Sequence, residues 1–253
     1  MSELEKSRSL PTSARISLGQ TGPSIPTREQ LRFQLDHALA RDAVHAQLDV
    51  TTILRDLQQR GLSALPLQGA ASDRRTYLRR PDLGRTLQAY SAEVLQHHAA
   101  DSAQPPEVVF ILADGLSALA LERHALPLLD ATLPLLKPGL REGPFCIVSQ
   151  ARVAIGDEIG HLLGARLSVL LIGERPGLSS PDSLGVYLTW EPRPGRTDAE
   201  RNCISNIRAG GLNYADAAAR ITYYIHEAQR LGATGIALKR SSPSPAFSRS
   251  VIN

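Results

Sequence analysis

Glu107-Val-Val-Phe-Ile-Leu-Ala113, followed by Asp114-Gly-Leu-Ser117, is the stretch whose reading decides the fold. Such a short and nearly unbroken apolar run suits a strand covered on both faces, as in a parallel sheet flanked by helices. The turn at Gly115 leads into a helical pattern marked by Leu119, Leu121, Ala125, Leu128 and Leu129. The unit then repeats downstream. Phe145 to Val148 reads as a second strand reaching towards Val153, and Asp157 to Leu163 as a short helix ended by Gly164. Leu167 to Ile172 is a third strand that runs into Gly173-Glu-Arg-Pro-Gly177, Gly185 to Trp190 a fourth, and Tyr214 to Leu231 a last helix. Strands alternating with helices across short connections predict an α/β fold: a Rossmann-like open, mostly parallel sheet.

Upstream the pattern is helical. Thr27 and Gln30 have capping-box spacing, and Leu31, Leu35, Ala38, Leu39 and Ala43 mark one face of a helix running to about Leu48. A second short helix or turn is expected near Ile53 to Gly61, then a polar stretch from Ala71 to Arg80. Pro81 is placed to open a third helix carrying Leu83, Leu87, Ala92 and Leu95. The expected organisation is therefore a flexible arm (1–26), an N-terminal helical annex (27–100), an α/β domain (101–240) and a flexible Ser/Pro-rich tail (241–253).

Composition narrows the class. The 253 residues are 42% hydrophobic and 4% aromatic, with a formal charge of +3 and two cysteines, Cys146 and Cys203. No apolar run reaches the roughly 18 residues of a membrane-spanning helix. Met1 to Gln20 lacks the apolar core of a secretory signal, so a reducing cytoplasm is expected. Two cysteines cannot build a four-thiolate zinc site. Arginines gather only at Arg74, Arg75, Arg79, Arg80 and Arg85, and aromatic stacking platforms are scarce, so a nucleic-acid module has little support.

In an open α/β sheet, ligands sit beyond the carboxyl ends of the strands. Three segments fall there. In Asp114-Gly-Leu-Ser117 either the helix N-terminus receives an anion, or Asp114 and Ser117 are ordinary caps. Gly173-Glu-Arg-Pro-Gly-Leu178 sets a carboxylate and a guanidinium at a strand tip, as a ligand group or as a surface pair held by a turn. Arg201-Asn-Cys-Ile-Ser-Asn-Ile207 reads as a polar, turn-prone loop, in which Cys203 is either structural or part of a ligand wall. Glu158-x-x-His161 is half of a di-iron motif without its second half and is read as an exposed helix pair. There is no Gly-x-Ser-x-Gly elbow, Walker loop or Gly-x-Gly-x-x-Gly fingerprint. A stand-alone hydrolase or transferase using Asp114 and Ser117 would need a general base, and no histidine is evidently placed for one.

These segments, taken together, resemble the small (light, beta) subunit of ethanolamine ammonia-lyase. The resemblance is carried by Tyr77-Leu-Arg-Arg-Pro-Asp-Leu-Gly-Arg85, Asp114-Gly-Leu-Ser117, Arg152-Val153, Asp157-Glu-Ile-Gly160, Gly173-Glu-Arg-Pro-Gly-Leu178 and Cys203-Ile-Ser-Asn206, across roughly residues 19 to 240. It implies a partner, not a free-standing enzyme. The large (heavy, alpha) subunit carries the substrate pocket, and adenosylcobalamin (coenzyme B12) lies at the junction of the two, in a hetero-oligomer usually of six of each. The holoenzyme converts ethanolamine to acetaldehyde and ammonia by a radical mechanism that begins with homolysis of the cobalt–carbon bond. The chain alone is then expected to be inactive and to contribute no metal ligand. The family's cobalamin contacts carry over to Val153, Glu174 and Cys203. Glu174 would accept from a corrin amide or a nucleotide hydroxyl, Val153 would offer backbone groups and a small apolar face, and Cys203 would pack at the ring edge. The implied location is the cytosol, with a bacterial microcompartment as the alternative.

Overall fold

A computed structural model describes residues 18–241; the expectations for residues 1–17 of the arm and 242–253 of the tail lie outside the described residues. Six strands form one sheet: β1 (Ala64–Gln68), β2 (Val108–Ala113), β3 (Phe145–Ser149), β4 (Leu167–Gly173), β5 (Leu184–Trp190) and β6 (Arg201–Ile207). Their order is β1-β3-β2-β4-β5-β6. The first four run parallel, with β2 in register on β4 from Val108↔Leu167 to Ala113↔Ile172. β5 and β6 are antiparallel, Leu167 facing Trp190 and Tyr187 facing Cys203. Every residue of β2 and β4 is buried, which is why their sequence is apolar without alternation.

Helices cover the two faces. On one, α2 (Val50–Gln59), α5 (Ala118–Thr132) and α7 (Tyr214–Leu231) bury Leu57, Leu121, Leu128 and Ile225 against Phe110, Leu112 and Val186. On the other, α4 (Ala89–Asp101) and α6 (Ile155–Leu162) bury Leu95, Ile155 and Ile159 against Val109, Ile111 and Leu170. Each fully buried Leu or Ile stabilises the fold by about 1.5–3 kcal/mol. Two further short helices are α3 (Arg74–Arg79) and α8 (Ile236–Ser241). Caps follow the expected chemistry: Ser117 accepts from Ala120 N–H at the start of α5, and Asn213 from Asp216 N–H at the start of α7. Gly232, at φ +66, ends α7.

The α/β class is thus as expected, and four details of the N-terminal half differ. Residues 27–100 are not purely helical, because Ala64–Gln68 joins the sheet as the edge strand β1 beside β3. The helix expected at Pro81 begins at Ala89. Helix α1 (Thr27–His45) has Pro26 as its N-cap with no side-chain cap, so the capping box at Thr27 does not form. Of that helix only Ala43 is buried; Leu31, Leu35 and Leu39 are 60%, 60% and 49% exposed. Among the described residues no helix is long and apolar enough to cross a membrane.

Candidate functional site

The loops after β2, β3 and β4 meet at the carboxyl edge of the parallel strands, and a buried carboxylate ties them together. Asp114 Oδ2 accepts from Gln150 N–H (2.9 Å) and Oδ1 from Ala151 N–H (3.0 Å). Arg74, from α3, donates through Nη1 to Asp114 Oδ2 (3.2 Å) and Gly115 O (2.8 Å), and through Nε to Val44 O (2.8 Å). Burial pushes the Asp114 carboxyl up, while the Ala151 and Gln150 N–H groups and Arg74 favour its ionised form. Tyr77 donates to Ala151 O (2.8 Å), and Arg152 N–H donates to Gly84 O (2.6 Å). Residues 150–152, which lead into Val153, are therefore pinned one after another, with Gln150 held at φ 58.

Those contacts settle which reading of Asp114 and Ser117 applies. Ser117 is fully buried, and its hydroxyl donates to Pro181 O (2.9 Å) while accepting from Ala120 N–H (3.2 Å). Both residues hold the backbone, as caps and clamps do. Glu174 does not pair with its neighbour Arg175. Its Oε2 accepts from Ser183 Oγ (2.5 Å) and Asn206 N–H (3.2 Å), which leaves Oε1 with capacity for a further donor. Glu158 is likewise no exposed helix partner, since its Oε2 accepts from Leu87 N–H (2.8 Å) and ties α6 to the segment before α4. Of the clustered arginines only Arg74 is buried, on Asp114; Arg75, Arg79, Arg80 and Arg85 are exposed, with Arg80 paired to Asp82.

The segment expected to be a loop, Arg201–Ile207, is the edge strand β6. Its inner side buries Asn202, Ile204 and Ile207, and its outer side exposes Cys203 and Ser205, with Sγ and Oγ 3.1 Å apart. Tyr187 of β5 stands opposite Cys203 and packs on the same side as α4 and α6. Burial first, then Cys203 and Glu174, push the Tyr187 phenol above its ordinary range, so it stays neutral. The β5–β6 end of this sheet face is thus an open polar shelf beside the pinned segment.

Two adjoining hollows flank that shelf. One, of about 270 Å³, is lined by Tyr77, Gly115, Arg152, Val153, Glu174 and Tyr187. The other, of about 540 Å³, is lined by Arg85, Arg152, Val153, Tyr187, Thr197 and Arg201. Val153 lines both, Glu174 the smaller, and Cys203 faces Tyr187, which lines both. A third hollow of similar size, about 520 Å³, lies at the amino ends of β1 and β3 around Ser63, His98, Arg141 and Phe145, away from the strand-end loops. Tyr77, Tyr187 and the pair Arg85 and Arg152 were not marked as site residues by sequence reasoning. Tyr77, Arg85 and Arg152 stood in the sequence only within the motifs that carry the resemblance and, for Arg85, in the clustering of arginines after residue 73, neither of which says where those side chains point.

An open α/β sheet with a two-lobed polar shelf at its strand ends defines the structural class. The family model described as ethanolamine ammonia-lyase light chain (EutC) matches residues 2–239. The chain is 55% identical over 232 residues to the ethanolamine ammonia-lyase small subunit of Pseudomonas paraeruginosa, covering 90% of this chain and 84% of that protein. The small subunits of Azotobacter vinelandii (53% over 229 residues; 90% and 85% covered) and Ralstonia nicotianae (51% over 235 residues; 92% and 87% covered) are similar. The chain belongs to the ethanolamine ammonia-lyase light chain family.

Proposed function

We propose that this chain is the cobalamin-contacting small subunit of an adenosylcobalamin-dependent ethanolamine ammonia-lyase, and that it acts only with a large subunit that houses the substrate. Its shelf would form one wall of the cofactor site at the subunit junction. The observation that carries this reading is the convergence of Val153, Glu174 and Cys203, from three separate loops and strands, around Tyr187.

The residues present fit the group. The corrin rim bears amides that donate and accept, and the shelf answers with Glu174 Oε1, the Ser205 hydroxyl and the Cys203 thiol. Arg152 Nε is a buried donor with no hydrogen-bond partner, which suits an acceptor supplied from outside the chain. When bound, adenosylcobalamin supplies the homolysable cobalt–carbon bond, and the chain's own residues bind and orient it. Glu174 would accept a hydrogen bond from a corrin amide N–H, with Ser183 and Asn206 fixing its carboxylate. Val153 presents a small apolar face on a segment that Asp114 and Tyr77 keep from shifting. Cys203 and Tyr187 would pack against the rim, Cys203 as a packing group and not as a cobalt ligand. Ethanolamine and the radical steps belong to the holoenzyme.

The test compares this chain alone, its large-subunit partner alone and the co-purified pair, each given adenosylcobalamin and ethanolamine, with acetaldehyde followed. Acetaldehyde from the pair alone is the expected result. Turnover by this chain alone, or no complex and no turnover, would overturn the reading.

A further inference from the structure

The larger hollow is rich in arginine, and its arginines are not equivalent. Arg201 is buried and its charge is compensated: Nη1 and Nη2 donate to Asp157, to Asp198 (2.9 Å) and to Arg196 O (2.9 Å), although its Nε, like that of Arg152, has no partner. Arg196 pairs with Glu200 at 2.5 Å and also reaches Glu191 O. These two cations are neutralised within the fold. Arg85 and Arg152 line the same hollow, and among the described residues neither has an acidic partner. The hollow therefore carries an uncompensated positive charge at its Arg85 and Arg152 side.

Arg152 is also built into place. Its guanidinium lies over the Tyr77 ring, Cζ 4.4 Å from the centroid, and Arg74 lies over the same ring at 4.8 Å. Its backbone N–H is held by Gly84 O, and a Cβ on Gly84 would come within 2.8 Å of Arg152 Cγ and 2.7 Å of Tyr77 Cε2. Only glycine lets the segment Leu83–Arg85 lie this close to Arg152, and Arg85 lines the same hollow. A stacked guanidinium with a buried, unpartnered Nε is an organised donor for a bidentate oxyanion.

We propose that Arg152 and Arg85 form a seat for a phosphate ester, and that in the assembled enzyme it holds the phosphodiester of the cofactor's nucleotide loop. The inference rests on the cobalamin reading above and deepens it, because the phosphodiester is the one anionic group on the cofactor's periphery. The seat would then fix the rotational setting of the macrocycle on the shelf: Glu174 and Val153 touch the rim across the smaller hollow while the nucleotide loop enters the larger one. The two hollows share Arg152, Val153 and Tyr187, so one ligand could reach into both.

The test uses the co-purified complex with three ligands: adenosylcobalamin, adenosylcobinamide phosphate and adenosylcobinamide, the last two differing only in the phosphate. Dissociation constants are read by equilibrium dialysis with corrin absorbance, independent of turnover. The wild-type complex is expected to prefer the phosphate-bearing fragment by at least about tenfold, in keeping with one charge-assisted contact. Arg85→Gln and Arg152→Gln are each expected to erase most of that preference while leaving adenosylcobinamide affinity unchanged, and Arg152→Lys to keep part of it. Arg85 is exposed, so its variant guards against a folding defect. Variants that keep the full preference, weaken all three ligands alike, or dissociate the subunits would overturn the phosphate seat alone. A wild-type complex that binds none of the three would overturn the cobalamin reading, and the seat with it.

Discussion

Asp114 and Arg74 form an ion pair at 3.2 Å with side chains 1% and 5% exposed, and this pair joins α3 to the end of β2, while the same carboxylate holds the segment after β3. Because Asp114 also takes two backbone N–H groups, an amide in its place could accept only one of them and would leave the Arg74 charge buried. Asp114→Asn is expected to destabilise the chain by about 3–5 kcal/mol, the cost of stranding a buried charge. Adding Arg74→Met should recover part of that loss. Chemical denaturation of the three proteins checks both statements, and a single variant within 1 kcal/mol of wild type, by the same order-of-magnitude reasoning, would show that the pair is not the clamp.

Cofactor contacts should separate from stability. Glu174→Gln keeps an oxygen for Ser183 and Asn206 but removes the charge, and Val153→Asp places a carboxylate against an apolar macrocycle. Each is expected to weaken adenosylcobalamin retention by the co-purified complex about tenfold or more, with the unfolding midpoint unchanged. Cys203→Ser keeps size and hydrogen bonding, and retention within about twofold of wild type is expected because no bond to cobalt is lost. A large loss in Cys203→Ser with intact fold would contradict the packing role given to the thiol.

How much of this was legible in the sequence depended on burial. β2 and β4 are covered on both faces, so their runs announced themselves, and α7 was read with the bounds it has, Tyr214–Leu231. β1 was missed because Ala64-Leu-Pro-Leu-Gln68 carries Pro66, which breaks a central strand but is tolerated at a sheet edge. β6 was missed because an edge strand with one face on the core and one face open shows mixed polarity, and Asn206 adds a positive φ of 62. That open face is where Cys203 lies, so the strand was hidden by the same polarity that makes the shelf. The pairing of Asp114 with Arg74, 40 residues apart, has no local signal at all.

Helix α1 illustrates the opposite error. Its apolar spacing is real, yet Leu31, Leu35 and Leu39 do not reach the core of this chain. Leu35→Ser is therefore expected to shift the chain's unfolding free energy by less than about 0.5 kcal/mol, as for other surface positions, whereas Leu57→Ala, in the core, should cost about 2–5 kcal/mol. Equal losses for the two, measured by urea unfolding of the chain, would place the α1 stripe in the core after all.

The turn that closes the larger hollow should respond to acid. Glu200 ends the short 3-10 turn Asp198–Glu200 and completes a capping box with Thr197, and its pKa is lowered to about 2, first by the Thr197 backbone N–H, then by the Arg196 guanidinium and the Thr197 hydroxyl. A carboxyl whose pKa is depressed on folding binds its proton more readily in the unfolded chain. The stabilisation it brings is therefore full above the unfolded value of 4.5 and is lost as pH falls through about 2. Thr197 and Asp198 line the hollow, so loosening the turn loosens that wall. The difference in urea midpoint between wild type and Glu200→Gln is expected to be constant above pH 5 and to shrink steadily towards pH 2. A difference that stays constant over that range would mean that the Glu200 charge contributes nothing and that the turn is held by its backbone alone.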